Sequence, residues 1–324
     1  MILKPDSDGV FTVSFLLIPE YAMVALLSAI EPMRVANRMA GRKVFRWQLL
    51  SEDGQTVQAS NDLALVQTTN IRDVEAPTNL FVCSSFNPEN HLRQETISWL
   101  KKLYRGGTHI GAMDTGCYLL AAAGILKNCR ITLHWEALPA FHEDHPDVEV
   151  TNELYEIDRH LITCAGGTSA IDMMLHIIQT ELGDKLALDV CEQFIKTGIR
   201  QKSDKQRIDL AARLNIHHPR LLKVLAMMEQ NMDDPLSTSQ LAEKSHISVR
   251  QLQRLFQSHM GKSPSCYYLE MRLNRAKQLL KESHLSVSEI GIACGFSSAP
   301  HFTSSYRNHF HMSPSEDRVR SKHH

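Results

Sequence analysis

Five serines between positions 237 and 298 stand where helices begin. Ser237 with Gln240, Ser248 with Gln251 and Ser286 with Glu289 are capping boxes, and Ser263 and Ser298 precede Pro264 and Pro300 at the first helical positions. Start signals packed so closely permit only short helices with abrupt turns between them. The back of the chain is therefore predicted to be all-α, built from several small units in a row.

Two of these units have a helix-turn-helix outline. In the first, a short helix packs through Leu241 and Ala242, a turn passes at His246 to Ser248, and a second helix turns Leu252, Leu255 and Phe256 inward. Arg250, Gln253 and Arg254 then share its outward face at helical spacing. Arginine and glutamine pair bidentately with guanine and adenine edges, so this face is a candidate DNA reader. In the second unit Gly295 permits the turn, Phe302 and Tyr306 face inward, and Ala299, Pro300, Thr303 and Ser304 face outward. Those side chains suit methyl contacts, shape or phosphate binding, with Arg307 a phosphate contact. Phe256 and Tyr306 hold corresponding places 50 residues apart, so the chain holds two weakly similar readers in tandem. A helix over Ser263–Glu282 joins them and, at about 1.5 Å per residue, spans roughly 28 Å, near the ~34 Å turn of DNA.

Charge follows the same division. From Arg220 onward 14 Lys and Arg stand against 9 Asp and Glu, a net +5 that leaves −6 for the preceding residues. A basic tail behind an acidic front suits a nucleic-acid reader with a separate sensing part. The length of 324 residues suggests two domains. Neither Val10–Pro19 nor Tyr21–Ile30 is long enough to cross a bilayer, and Asp6 and Asp8 stand where a secretion signal would be positive, so a cytoplasmic protein with no membrane partner is expected. Seven cysteines without a C-x-x-C pair imply reduced, mostly buried thiols. His142 and His145 have helical spacing but lack a third ligand, so no metal or other cofactor is expected.

The front of the chain alternates two patterns. Phe11–Ile18, Leu80–Cys83, His109–Met113 and His160–Cys164 are β-rich apolar runs, separated by helical patterns over Ala22–Met39, Glu89–Arg105, Tyr118–Ala123 and Ala170–Glu181. A parallel sheet covered on both faces follows, with ligands expected at the carboxyl ends of its strands. There the sequence writes Gly111-Ala-Met-Asp-Thr-Gly116: a strand end, a tight turn and a helix start. Asp-Thr-Gly also occurs in aspartic proteases, but those need two carboxylates sharing a proton and this chain has one such string. After Ala165-Gly-Gly167, Thr168-Ser-Ala-Ile-Asp172 starts a helix either as an anion site or as a plain glycine turn with a serine cap.

Four strings carry a resemblance: Leu17-Ile-Pro-Glu20, Gly111-Ala-Met-Asp-Thr-Gly-Cys-Tyr118, Thr132-Leu-His-Trp-Glu136 and Thr163-Cys-Ala-Gly-Gly-Thr-Ser169. Over roughly residues 10–195 the chain resembles the PfpI-like branch of the class I glutamine amidotransferase-like superfamily. The resemblance implies a flavodoxin-like sandwich and a catalytic cysteine on the strained turn beside a histidine; those positions match Asp114 and His134. A carboxylate is a poor nucleophile toward amides, so the scaffold is read as non-catalytic. Asp114, Thr115, His134, Trp135, Glu136 and Glu20 become candidate ligand-binding residues. Carboxylate plus aromatic ring suits an ammonium or quaternary ammonium group, hence a small cationic or zwitterionic metabolite. Asp114 as a helix cap, with Trp135 in the core, is the plainer alternative.

Residues 220–318 closely resemble the AraC/XylS family through Leu252-Gln-Arg-Leu-Phe256, Gly261 to Leu280, Ile290 to Phe296 and Met312-Ser-Pro-Ser315. Three positions depart from its pattern: Gly291 for alanine, His311 for glycine and Asp317 for tyrosine. Together the resemblances imply a sensing domain over residues 1–195, a linker over 196–219 and a DNA-binding domain over 220–324. They imply an activator of catabolic genes for an amino acid or quaternary amine, with double-stranded promoter DNA, RNA polymerase and a second copy of the chain as partners. The rival reading is a PfpI-like hydrolase or deglycase with a DNA-binding appendage.

Overall fold

The computed structural model describes residues 1–66, 68–283 and 285–321. It divides into two compact units, Met1–Gln206 and Arg207–His324. The first half of unit one runs β1 (Phe11–Leu17), α1 (Met23–Met39), β2 (Phe45–Ser51), β3 (Val57–Gln58), β4 (Ala64–Leu65), β5 (Thr69–Asn70), β6 (Asn79–Ser84) and α2 (Gln94–Arg105). Its second half continues through β7 (His109–Asp114), α3 (Cys117–Ala122), β8 (Arg130–Thr132), α4 (Leu138–Asp144), β9 (Glu149–Thr151), β10 (Tyr155–Asp158), β11 (Leu161–Cys164), α5 (Ser169–Leu182) and α6 (Asp184–Gln193).

A seven-stranded sheet of order β10-β11-β7-β6-β1-β2-β5 forms the middle layer. Its strands are parallel except β10, which pairs antiparallel with β11 at the edge. Side chains alternate across it as the pleat requires. Val13, Phe15 and Leu17 of β1 join Phe81 and Cys83 of β6 in a core shared with α1, α5 and α6. Leu16, Leu80 and Val82 face the other way, into a core shared with α2 and α3. Both faces are thus covered, the condition under which parallel strands read as continuous apolar runs. Gly111 lacks a Cβ where the Phe81 ring passes within 2.5 Å of that position, which lets Phe81 lie 5.9 Å from Phe15. The helical pattern over residues 89–105 divides in two: Pro88–His91 forms a 3-10 turn and α2 starts only at Gln94.

Unit two is helical: α7 (Leu210–Leu214), α8 (Pro219–Gln230), α9 (Thr238–Lys244), α10 (Val249–Met260), α11 (Pro264–Glu282), α12 (Val287–Ala293), α13 (Ala299–Phe310) and α14 (Pro314–Ser321). Ser237, Ser248 and Ser286 close capping boxes, and Ser263 and Ser298 accept from Cys266 and His301 as N-caps. The tandem repeat is literal: α9 and α12 each have 7 residues, α10 and α13 each have 12. Among the described residues no helix is long and apolar enough to cross a membrane.

Candidate ligand site and nucleic-acid interface

β7 ends in a turn whose backbone is unusual for its residues. Asp114 has φ +59°, left-handed backbone that a non-glycine side chain adopts at some cost. Gly116 is required next, because a Cβ there would stand 2.4 Å from the Val82 carbonyl of β6. The Asp114 carboxyl folds over Gly166 of the β11–α5 turn (φ +86°), where a Cβ would fall 2.9 Å from the Asp114 Cβ. Burial, with only 7% of Asp114 exposed, pushes its pKa up to about 7; a hydrogen bond with Ser85 opposes the rise and the Glu136 charge adds to it. The sequence implies a permanently charged group. Its surroundings make it instead a carboxyl whose proton is held up to about neutral pH.

The neighbouring candidates are placed as follows. Thr115 donates its hydroxyl to the Ser85 carbonyl at 2.6 Å. His134, after β8, donates its backbone N–H to the Asp114 carbonyl at 3.4 Å, which brings this loop against the turn. Its ring is held below the usual histidine pKa by burial, against the pull of Glu136 at 3.8 Å. Trp135 is half-buried, its ring 5.6 Å from that of His134. Glu20, after β1, also has positive φ and accepts from the Asn87 side chain at 2.9 Å. Asp114 does not cap α3: the N-cap is Gly116, without a side-chain cap.

Ser84 and Ser85 also lie beside Asp114. Ser84 is paired in register with Asp114, and its buried hydroxyl has no hydrogen-bond partner among the described residues. Both follow the apolar run ending at Cys83, and strand adjacency, which the sequence does not show, is what brings them to Asp114. The thiols nearby are packed groups. Cys117 opens α3, fully buried, with its Sγ 3.5 Å from the Thr132 carbonyl. Burial raises the thiols of Cys83, Cys117 and Cys164, the last to about 11, so none supplies a thiolate at neutral pH.

In unit two the candidate reading faces lie opposite the apolar sides that pack. Leu252 and Phe256 of α10 are fully buried, leaving Arg250, Gln253 and Arg254 exposed. Phe302 and Tyr306 of α13 are fully buried, and Ala299, Pro300, Thr303, Ser304, Arg307 and Asn308 line one surface depression. The turns before these helices use left-handed backbone at His246 (φ +55°) and Gly295 (φ +72°). Only glycine fits at 295, where a Cβ would meet Pro235 at 2.6 Å. Arg272 of α11 ties that turn down, donating to the carbonyls of Cys294 (2.7 Å) and Gly295 (2.6 Å) with its guanidinium 4.3 Å from the Phe296 ring centroid.

The DJ-1/PfpI family matches residues 13–180 and a helix-turn-helix domain matches residues 241–320. The HTH-type transcriptional regulator CdhR of Pseudomonas aeruginosa is 43% identical over 94% of this chain and 90% of that protein. This chain belongs to the AraC-type regulators with an N-terminal DJ-1/PfpI domain. An AraC family transcriptional regulator from Pseudomonas putida is similar in structure, at 25% identity and a TM-score of 0.52, over 56% of this chain and 98% of that one. The HTH-type transcriptional activator RhaS of Escherichia coli is 32% identical over 37% of this chain and 41% of its own length.

The three departures from the AraC/XylS pattern have local explanations. Gly291 lies under the Phe302 ring, where a Cβ would approach to 3.2 Å. Asp317 is buried and accepts a 2.7 Å hydrogen bond from the Tyr306 hydroxyl. His311 forms the left-handed C-cap of α13 (φ +59°), the role Gly261 has after α10 (φ +67°).

Proposed function

We propose that this AraC-type regulator is a ligand-responsive activator of catabolic genes. Its DJ-1/PfpI unit binds an amino acid or quaternary amine through Asp114 without turning it over, and its tandem helix-turn-helix unit binds promoter DNA. One observation carries the reading: the strained turn is kept, yet a nearly buried carboxyl occupies it. The ionised form of a carboxyl buried in this way lacks water and would be stabilised by a cation, and a carboxylate is a poor nucleophile toward an amide. Glu136 adds negative charge, and Trp135 beside His134 offers an aromatic surface to an alkylated ammonium. The similarity to the transcriptional activator RhaS over part of the chain supports the activator sign.

Calorimetry with amino acids and betaines against wild type and Asp114→Ala tests the site. A cationic partner is expected to bind wild type more tightly as pH rises through about 7, then level off as Asp114 becomes fully ionised. The Asp114→Ala variant should lose at least about tenfold in affinity and all of that pH dependence. Equal affinities in the two proteins would remove Asp114 from the site.

A further inference from the structure

Residues 196–206 form no helix or strand, yet they are fastened along the first unit from end to end. Asp172 of α5, fully buried, pairs with Lys196 (3.1 Å) and Arg200 (2.7 Å) and accepts the Arg200 backbone N–H at 2.9 Å. Lys202 reaches Glu156 at 3.2 Å, and its carbonyl accepts from Leu154 at 2.9 Å. Gln206 closes the run: its side-chain amide donates to the Thr132 hydroxyl (3.0 Å) and to the carbonyls of Leu133 (3.1 Å) and Glu153 (2.9 Å). A buried carboxylate deprived of its cations is strongly destabilised, so the first of these attachments is a firm one.

The attachments coincide with the two loops that close on Asp114. Arg200 donates to the Thr168 hydroxyl at 3.2 Å, two residues beyond Gly166, on which the Asp114 carboxyl rests. Gln206 holds the carbonyl of Leu133, the residue before His134, whose N–H meets the Asp114 carbonyl. Any change at Asp114 that shifts the Gly166 turn or the His134 turn therefore acts on an attachment of this segment. The next residue, Arg207, begins the DNA-binding unit.

We propose that residues 196–206 are a strap that transmits the state of the Asp114 site to the DNA-binding unit through Arg200 at one loop and Gln206 at the other. This rests on the reading of Asp114 as the sensing group. A ligand that alters the hold of the strap changes the freedom of the chain leading into the helix-turn-helix unit, and the effect is reciprocal, as linkage requires.

Backbone amide exchange on the full-length chain tests the strap without knowledge of the metabolite, in wild type, Asp114→Asn and Gln206→Leu. Asp114→Asn is expected to change exchange within residues 200–206 by about tenfold, the size of an ordinary coupling between sites. Gln206→Leu, which keeps the size but loses the donors, is expected to change exchange at His134 as well as within the strap. Unchanged strap exchange in Asp114→Asn, or a Gln206→Leu effect confined to residues 196–206, would overturn the proposal. Thermal unfolding checks that both variants are folded, and if Gln206→Leu is not, Gln206→Glu takes its place under the same criteria. Calorimetry judges the sensing role separately: loss of affinity in Asp114→Ala with silent exchange would sink the strap alone.

Discussion

Asp114 is a residue whose ionisation depends on what surrounds it, and this links the site to stability. Its pKa is about 7 in the folded chain against an ordinary value of 3.8. A carboxyl raised in this way favours folding fully below the unfolded value, and that contribution is lost as pH climbs from about 4 through about 7. Asp114→Asn, which tolerates the left-handed backbone and stays neutral, should therefore match wild type near pH 4 and exceed it near pH 8. The gain has an upper limit on the order of 4 kcal/mol, from roughly 1.4 kcal/mol per pKa unit. Urea unfolding of the full chain at the two pH values checks this. A variant no more stable than wild type at pH 8 would mean that the carboxyl is not desolvated. Keeping a residue that lowers stability at neutral pH is the pattern of a functional site.

At the scale of elements, the two candidate reader helices share a frame and differ in chemistry. Both α10 and α13 are serine-capped, follow a left-handed turn and bury one aromatic at the same step, Phe256 in one and Tyr306 in the other. The exposed face of α10 carries two arginines and a glutamine, whereas the surface of α13 carries the small side chains of Ala299, Pro300, Thr303 and Ser304 beside Arg307 and Asn308. Base discrimination should then reside in α10. Arg254→Ala is expected to cost about 1–3 kcal/mol on the operator and little on unrelated duplex, while Arg307→Ala should weaken binding to both alike. Titration of each variant against operator and scrambled DNA at fixed salt separates these outcomes; the same loss of discrimination in both would refute the division of labour.

For the whole molecule, the sequence made legible those features that rest on local chemistry. Every helix start marked by Ser237, Ser248, Ser263, Ser286 and Ser298 is present, because a cap is decided within four residues. The strands that are buried on both faces were equally plain, as unbroken apolar runs. Strand β2 is not legible, since Arg46, Trp47, Gln48 and Leu49 are only partly buried and their mixed pattern fits several structures. Nor is α6, a short amphipathic helix whose apolar side is defined by α1 and α5. At the site, the substitution of Asp114 for the expected cysteine could be read directly. Its burial by Gly166, the approach of Ser84 and Ser85, and the strap from Lys196 to Gln206 all depend on contacts between distant segments.

Transcription from a promoter bound by this protein, measured in cells with and without an amino acid or quaternary amine, in wild type, Asp114→Ala and Cys117→Ala, decides whether Asp114 is the sensing group. Asp114→Ala is expected to occupy the promoter but no longer respond to the added compound, while Cys117→Ala responds as wild type does. A full response in Asp114→Ala, or one that vanishes in Cys117→Ala, would contradict that role for Asp114.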